Sequence, residues 1–284
     1  MSKLIAILIV TSCMLAGPVR TFAQAAPPPA DQSGTYELVL RDGSRVFGTI
    51  VSEDEDQVVL RTQAGATVTA ARSDVESLKA VSGEIVDGRF LPPDPNATRL
   101  FFGPTGRSLQ RGQTYLGVYE FVMPFVQIGI TDRLSVGGGT PLVFGFDEGN
   151  RPFWITPKLQ LLNHARTQIA VGAFQVFNPH GDGGGVGYVV GTHGGSTASF
   201  TAGGGLAYGN QGGRSGVAML GGERQVRRNL KLITENYLWK DGHGIASGGV
   251  RFFGDRLSAD LAIGVPIGVS DLVGFPVLNF VYVF

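Results

Sequence analysis

The chain of 284 residues holds four histidines, His164, His180, His193 and His243, and one cysteine, Cys13. Two of the histidines have a carboxylate two residues away: His180 precedes Asp182, and His243 follows Asp241. A carboxylate that orients an imidazole can make a general base, but the chemistry also needs a nucleophile. No nearby Ser carries a recognisable nucleophile motif, so solvated loop residues are the preferred reading. His180 and Asp182 supply two metal ligands, too few for a zinc site. The glycine runs at 183–187 and 203–205 have no Gly-Lys-Ser/Thr after them and open no helix, so they do not read as phosphate loops. The acidic run Glu53-Asp54-Glu55-Asp56 lacks calcium-loop spacing and reads as a solvated turn. No catalytic residue, cofactor or metal is expected. Five further charges, Glu120, Lys158, Glu235, Arg251 and Asp260, each interrupt a segment of apolar or small residues. Facing lipid at mid-membrane, a Lys or Arg would cost about 2–4 kcal/mol. These five should therefore face a lumen, as an internal salt-bridge network or, less favoured, as the selectivity lining of a narrow pore.

The elements that would position them follow from composition. Glycine contributes 43 residues, charged residues only 16%, and the net charge is zero. There is no overall basic field for nucleic acid, no triplet period for collagen, and enough apolar residues to exclude simple disorder. The imbalance has a location. Residues 31–99 carry 12 acidic and 7 basic residues, a charge density of about 28% that suits a soluble domain, whereas residues 100–284 carry 11 and 14 and hold 36 of the 43 glycines. The shift falls at Leu91-Pro92-Pro93-Asp94-Pro95. The expected order is a signal peptide (1–25), a Pro-rich spacer (26–33), a small β domain (34–90), a linker leading into the barrel (91–112) and a transmembrane β-barrel (113–284).

Residues 1–25 have the parts of a secretory signal: Lys3, an apolar run from Leu4 to Leu15, and the small-x-small pattern Ala23-Gln24-Ala25. The run is too short to span a membrane as a helix. Val10-Thr11-Ser12-Cys13 resembles a bacterial lipoprotein box, but Met14 and Leu15 prolong the apolar run past Cys13, which makes cleavage after Ala25 the preferred reading. A mature chain without cysteine suits the periplasm or outer membrane of a Gram-negative bacterium.

In the small domain, strands 35–40, 45–51, 57–62 and 66–70 are separated by turn signals, among them Asp42-Gly43. Ser73-Asp74 suits the cap of a short helical turn. The pattern Leu38-x-Leu40-x-Asp42-Gly43-Ser44-x-x-x-Gly48-x-Ile50 resembles the Sm-like and SH3-like small barrels over about 45 residues. Sm-like proteins often bind RNA, but this acidic, exported copy is not expected to bind nucleic acid.

From residue 113 on, segments of barrel-strand length alternate with turns. Twelve strands are expected, with 10–14 allowed: 113–122, 125–130, 134–144, 152–162, 167–177, 185–193, 196–208, 216–226, 230–240, 245–253, 257–266 and 275–284. Period-2 alternation is clear in 153–161, 196–208 and 257–267, and poor in 167–177 and 230–240. Placing the small domain and both termini on one side puts the short turns, such as 131–133, 227–229 and 254–256, on that side. The opposite loops are longer, except at the first hairpin, near Met123-Pro124. The last strand ends Leu278-Asn279-Phe280-Val281-Tyr282-Val283-Phe284 and resembles the C-terminal signature of bacterial outer-membrane barrels. That resemblance implies recognition by the barrel-assembly machinery through Phe284 and Tyr282, with Phe280 and Leu278 in the same alternating set. Residues 95–109 are similar to the approach to the barrel in uncharacterised outer-membrane proteins, and Asn96-Ala97-Thr98 fits a glycosylation acceptor that a bacterial chain would not use. The expected function is non-enzymatic: an integral outer-membrane protein, in contact with outer-membrane lipid, with an envelope role or passive passage of small solutes. Its periplasmic domain would meet a protein or cell-wall partner. The alternative is a rim enzyme acting on lipid through His180 or His243.

Overall fold

The fold, obtained as a computed structural model, describes residues 34–86, 89–142, 151–179, 181, 183–209, 213–268 and 274–284. The expected signal peptide and spacer, the Cys13 site, His180 and Asp182 lie outside the described residues.

The chain is all-β. Seven short strands come first: β1 (Thr35–Leu40), β2 (Arg45–Glu53), β3 (Gln57–Arg61), β4 (Thr67–Ala71), β5 (Val75–Val81), β6 (Glu84–Val86) and β7 (Arg89–Leu91). The first five form one antiparallel sheet in the order β4-β3-β2-β1-β5, and β6 pairs with β7. Local chemistry sets the turns. Asp42 Oδ1 accepts the Ser44 N–H at 2.8 Å while Gly43 takes φ +84°, which closes the β1–β2 hairpin. Asp54 Oδ1 accepts the N–H groups of Asp56 and Gln57 at 2.9 and 2.8 Å, so this acidic run is an Asx turn. An extra residue at Val51 bends β2 around a core of Leu38, Val58, Leu60 and Ala70. A single helical turn, Arg72–Asp74, precedes β5. It has no side-chain cap, so Ser73 and Asp74 do not serve it as their types suggested.

The rest of the chain is a closed antiparallel barrel of twelve staves. Its strands are β8 (Thr114–Tyr119), β9 (Met123–Gly129), β10 (Leu134–Gly139), β11 (Phe153–Ile155), β12 (Lys158–His164), β13 (Thr167–Phe177), β14 (Gly184–Gly194), β15 (Ala198–Gly209), β16 (Arg214–Arg227), β17 (Leu230–Trp239), β18 (Gly244–Phe253), β19 (Leu257–Ile267) and β20 (Phe275–Val283). The wall closes where β20 pairs with β8, Tyr282 opposite Leu116. β11 and β12 are one stave in two pieces. They part at Thr156-Pro157, where proline has no N–H to give the ladder.

The wall alternates as its periodicity requires. Phe153, Ile155, Leu159 and Leu161 are exposed on the outside, while Trp154, Lys158 and Gln160 are buried inside. In β19, Leu257, Leu261, Ile263 and Val265 are exposed and Ser258, Asp260 and Ala262 are buried. An outer face this apolar would be a liability in water and is the face that lipid solvates. β17 alternates equally well in burial despite its mixed composition. Lys231, Ile233 and Glu235 are buried, and Leu232 and Leu238 are exposed. Its inward face mixes charges with apolar groups, which hid the period in the sequence.

Glu120 is a correction. It lies in the β8–β9 turn at φ +49°, followed by Phe121 at +61°, rather than within a strand. Its Oε1 accepts the Leu278 N–H at 3.0 Å, and Met123 and Pro124 belong to β9.

The N-terminal strands contact the barrel at its short turns. Glu84 accepts hydrogen bonds from Ser196 Oγ and Thr197 Oγ1, each at 2.9 Å. Arg228 reaches Glu37 at 3.6 Å and covers the stacked rings of Phe47 and Phe90. Partial burial opposes ionisation of Glu84, but the Ser196 and Thr197 hydrogen bonds prevail and hold its carboxyl below the usual range. A depressed folded-state pKa means that this contact is fully present above the ordinary glutamate value and fades as pH falls through the lower folded value. Limited proteolysis should therefore leave the segment around Glu84 protected at neutral pH and expose it in strong acid. Glu84→Gln should expose it at neutral pH as well.

Candidate functional site

Residues 110–112 are exposed, but the stretch before them is not an exposed linker. Segment 94–109 enters the barrel and plugs the half of the lumen next to the short turns. Leu100 and Phe101 are fully buried there, and Asp94 and Asn96 nearly or fully so. The segment makes a small hairpin. Leu100 N–H donates to the Gly103 carbonyl at 2.9 Å, Thr105 N–H donates to the Thr98 carbonyl at 3.0 Å, and Arg99 bridges to Pro104. The buried side chain of Asn96 is no glycan acceptor.

The wall charges hold this plug. The structure places Lys158, Glu235, Arg251 and Asp260 on the inward face, all buried. Arg251 and Asp260 face each other across β18 and β19, with Nε–Oδ1 at 2.6 Å and Nη2–Oδ2 at 3.1 Å. Arg251 Nη1 also meets Asp94 Oδ2 at 2.9 Å and the Asn96 carbonyl at 2.8 Å, and Nη2 donates to the Leu100 carbonyl. Lys231 stands directly opposite Arg251 in register, and both side chains are fully buried. Two like charges in that position repel. Asp94 of the plug lies between them, 3.3 Å from Lys231 Nζ. Lys231 also meets Glu223 at 3.1 Å, and Glu223 meets Arg107 of the plug at 2.5 Å. Three cations thus face three carboxylates, and the plug supplies one of each sign.

Glu235 and Lys158 bind the plug backbone instead. The Glu235 carboxylate accepts the N–H groups of Phe101 at 2.7 Å, Phe102 at 3.1 Å and Gly103 at 3.0 Å, and the Tyr237 hydroxyl at 2.7 Å. A hairpin tip turns its amides toward one point, and a carboxylate occupies that point. Lys158 Nζ donates to the carbonyls of Arg107 at 2.6 Å and Thr98 at 3.0 Å. Gln160 Nε2 donates to the Gly106 carbonyl and Thr192 Oγ1 accepts the Gly106 N–H, both at 2.8 Å. Gly106 runs so close to the wall that a Cβ there would collide with the Gln168 carbonyl and lie 3.1 Å from Thr192 N. Gly106→Ala should therefore destabilise the barrel by about 1–3 kcal/mol through overpacking, read as a lower temperature for the folded-to-unfolded band conversion in detergent gels.

Other candidate residues are not brought together. His164, His193 and His243 are exposed, and His193 Nδ1 lies 2.9 Å from Thr167 Oγ1. The side chain of Asp241 lies outside the described residues, and no cluster of three metal-ligating groups occurs among the described residues. Leu278, Phe280, Tyr282 and Phe284 share the outward face of the closing strand, with Phe284 68% exposed.

Asp94, Arg99 and Arg107 of the plug, and Glu223 and Lys231 of the wall, were not singled out in the sequence. Lys231 and Glu235 have the same parity in one strand, so strict alternation would have put them on one face. Asp94, Arg99 and Arg107 carried no comparable signal, because residues 91–112 read as linker.

No family model matches the chain in sequence, and no curated protein matches it. Among solved structures, it is similar to "KdgM porin in complex with disordered oligogalacturonate", at 7% identity over 61% of this chain and 98% of that one, with a TM-score of 0.46. It is also similar to a loop L8 deletion mutant of OmpT, an outer membrane protein of Vibrio cholerae, at 12% identity over 88% of this chain and 96% of that one, with a TM-score of 0.36. At these values the assignment rests on the chain's own residues.

Proposed function

We propose that the chain is a non-enzymatic integral outer-membrane β-barrel whose lumen is closed, on the side of the short turns, by its own segment 94–109. The observation that carries this reading is the pairing of buried wall charges with the plug. Arg251, Lys231, Glu223 and Glu235 each bind a plug residue where an open pore would leave them to water. The role is structural within the envelope, and small solutes pass only when the plug is displaced.

The five-stranded sheet, with its bent second strand and a helical turn before its last, suits an SH3/Sm-like module. It would lie in the periplasm with the short turns, in reach of an envelope protein or the cell wall. Phe284, Tyr282, Phe280 and Leu278, aligned along the lipid face of the closing strand, suit a signal read by the barrel-assembly machinery. Detergent gels test the membrane assignment. An intact barrel should migrate differently before and after boiling, and should require detergent for extraction. A protein that stays soluble without detergent and shows no band shift would overturn it.

A further inference from the structure

Beyond the plug tip, the loop-end half of the lumen holds a cavity of about 570 Å³, within the range of roughly 300–1,000 Å³ that small-molecule sites occupy. Phe102, Gly103 and Pro104 of the plug line one end of it. The two halves of the lumen differ in chemistry. Next to the short turns the inward positions carry Lys158, Glu223, Lys231, Arg251 and Asp260, polar as a barrel interior ordinarily is. At the loop end the lining includes Val186, Ala207, Val217, Trp239 and Ile245, one from each of the successive strands β14 to β18. These five are only half-buried, and Phe174 of β13, which also lines the cavity, is 41% exposed. Apolar groups turned into a lumen and left in water there serve no folding purpose, because the barrel already has a lipid face outside.

The polar groups around the cavity are withdrawn from it. Lys158 Nζ is committed to plug carbonyls. The Arg99 guanidinium is sealed. Its Nε and Nη2 are fully buried, and it lies over the rings of Phe125 and Tyr119, 4.4 and 4.8 Å from their centroids. Among the described lining residues there is no carboxylate. Three tyrosine hydroxyls at the wall are also in use. Tyr115 lies 3.3 Å from Thr98 Oγ1, Tyr119 accepts from Arg99 Nη1 at 2.5 Å, and Tyr237 donates to Glu235 at 2.7 Å. An ion entering this space would give up its water without gaining a partner, and a sugar would leave most of its hydroxyls unpaired. What the wall offers is apolar and aromatic contact.

We propose that this cavity binds a neutral, hydrocarbon-like small molecule. The ligand lies on the plug tip and against the apolar side chains that β13 to β18 turn inward, and its binding covers the surface that the empty lumen leaves in water. The inference rests on the plugged-barrel reading, because the plug tip is the floor of the site.

The chain provides its own reporter, since its two tryptophans, Trp154 and Trp239, both line the cavity. The full-length protein in detergent is titrated with 1-bromooctane, and tryptophan quenching is followed. Quenching should saturate, and n-octane, which does not quench, should reverse it by displacement. Ionised octanoate should need at least about tenfold more to do the same, because its charge would be buried without a partner. Ala207→Phe, which fills part of the apolar wall, should weaken the quenching at equal detergent. Quenching that rises without saturation, or that octane does not reverse, is partition into the micelle and overturns the proposal. Displacement by octanoate at the same concentration as octane overturns the neutral ligand. Because the wild type alone decides this, an Ala207→Phe protein that fails to fold leaves the test intact. A wild-type barrel that is electrically silent but shows no displaceable quenching removes the ligand site and spares the plug. One that conducts steadily removes the plug itself.

Discussion

Asp94→Ala is expected to lower the stability of the barrel by about 3–5 kcal/mol, the cost of breaking a buried charge network by removing one partner. Asp94 is the plug's acidic link between Lys231 and Arg251, which stand opposite each other with fully buried side chains. Without it the two cations keep Glu223 and Asp260 but lose the carboxylate that separates them. The loss should appear as a fall in the temperature at which the unboiled band converts to the unfolded one. The explanation is specific to charge. Adding Lys231→Met to Asp94→Ala removes the repulsion and should recover part of the loss, since coupled neighbours are not additive. If the double variant is as unstable as the sum of the two single changes, Asp94 acts through packing and not through the charges it separates.

Glu235→Ala is the second large effect. It strands two buried backbone N–H groups, of Phe101 and Gly103, and the part-buried Phe102 N–H and Tyr237 hydroxyl at the hairpin tip. An unpaired buried donor costs about 1–3 kcal/mol, so the tip should leave its seat rather than stay there unsatisfied. In planar bilayers this variant should show intermittent conductance while retaining a heat-modifiable barrel. Glu235→Gln keeps one acceptor oxygen and should show a smaller change of the same kind. A Glu235→Ala protein with unchanged stability and no conductance would mean that the tip is held by its apolar contacts, with Leu100 and Phe101 against Met219 and Ile233.

These effects were partly legible beforehand. The wall could be read because a barrel strand obeys a period of two whatever its partners are, so β12, β15 and β19 showed their faces directly. Lipid on one side and crowding on the other also explained the poverty of charge and the wealth of glycine. The inward direction of Lys158, Glu235, Arg251 and Asp260 followed from the cost of placing them in lipid. What they bind did not follow. A plug has no period of its own. Residues 94–109 form one small hairpin whose shape is imposed by Glu235, Lys158 and Arg251 from strands more than fifty residues away in sequence. Pro92, Pro93, Pro95, Gly103 and Gly106 looked like a linker because the same residues serve an exposed spacer and a backbone that must pass close to a wall. Glu120 was misplaced for a local reason. A tight turn with two successive residues at positive φ is usually Asn-Gly or Gly-rich, and Glu120-Phe121 gave no such cue.

The most direct measurement is a single-channel recording of the wild-type protein, reconstituted after its band shift has shown it to be folded. If segment 94–109 closes the lumen, the wild type is silent over a wide voltage range, and the Glu235→Ala variant opens in discrete steps. A steady, ohmic wild-type current at low voltage from demonstrably folded protein would contradict the closed lumen.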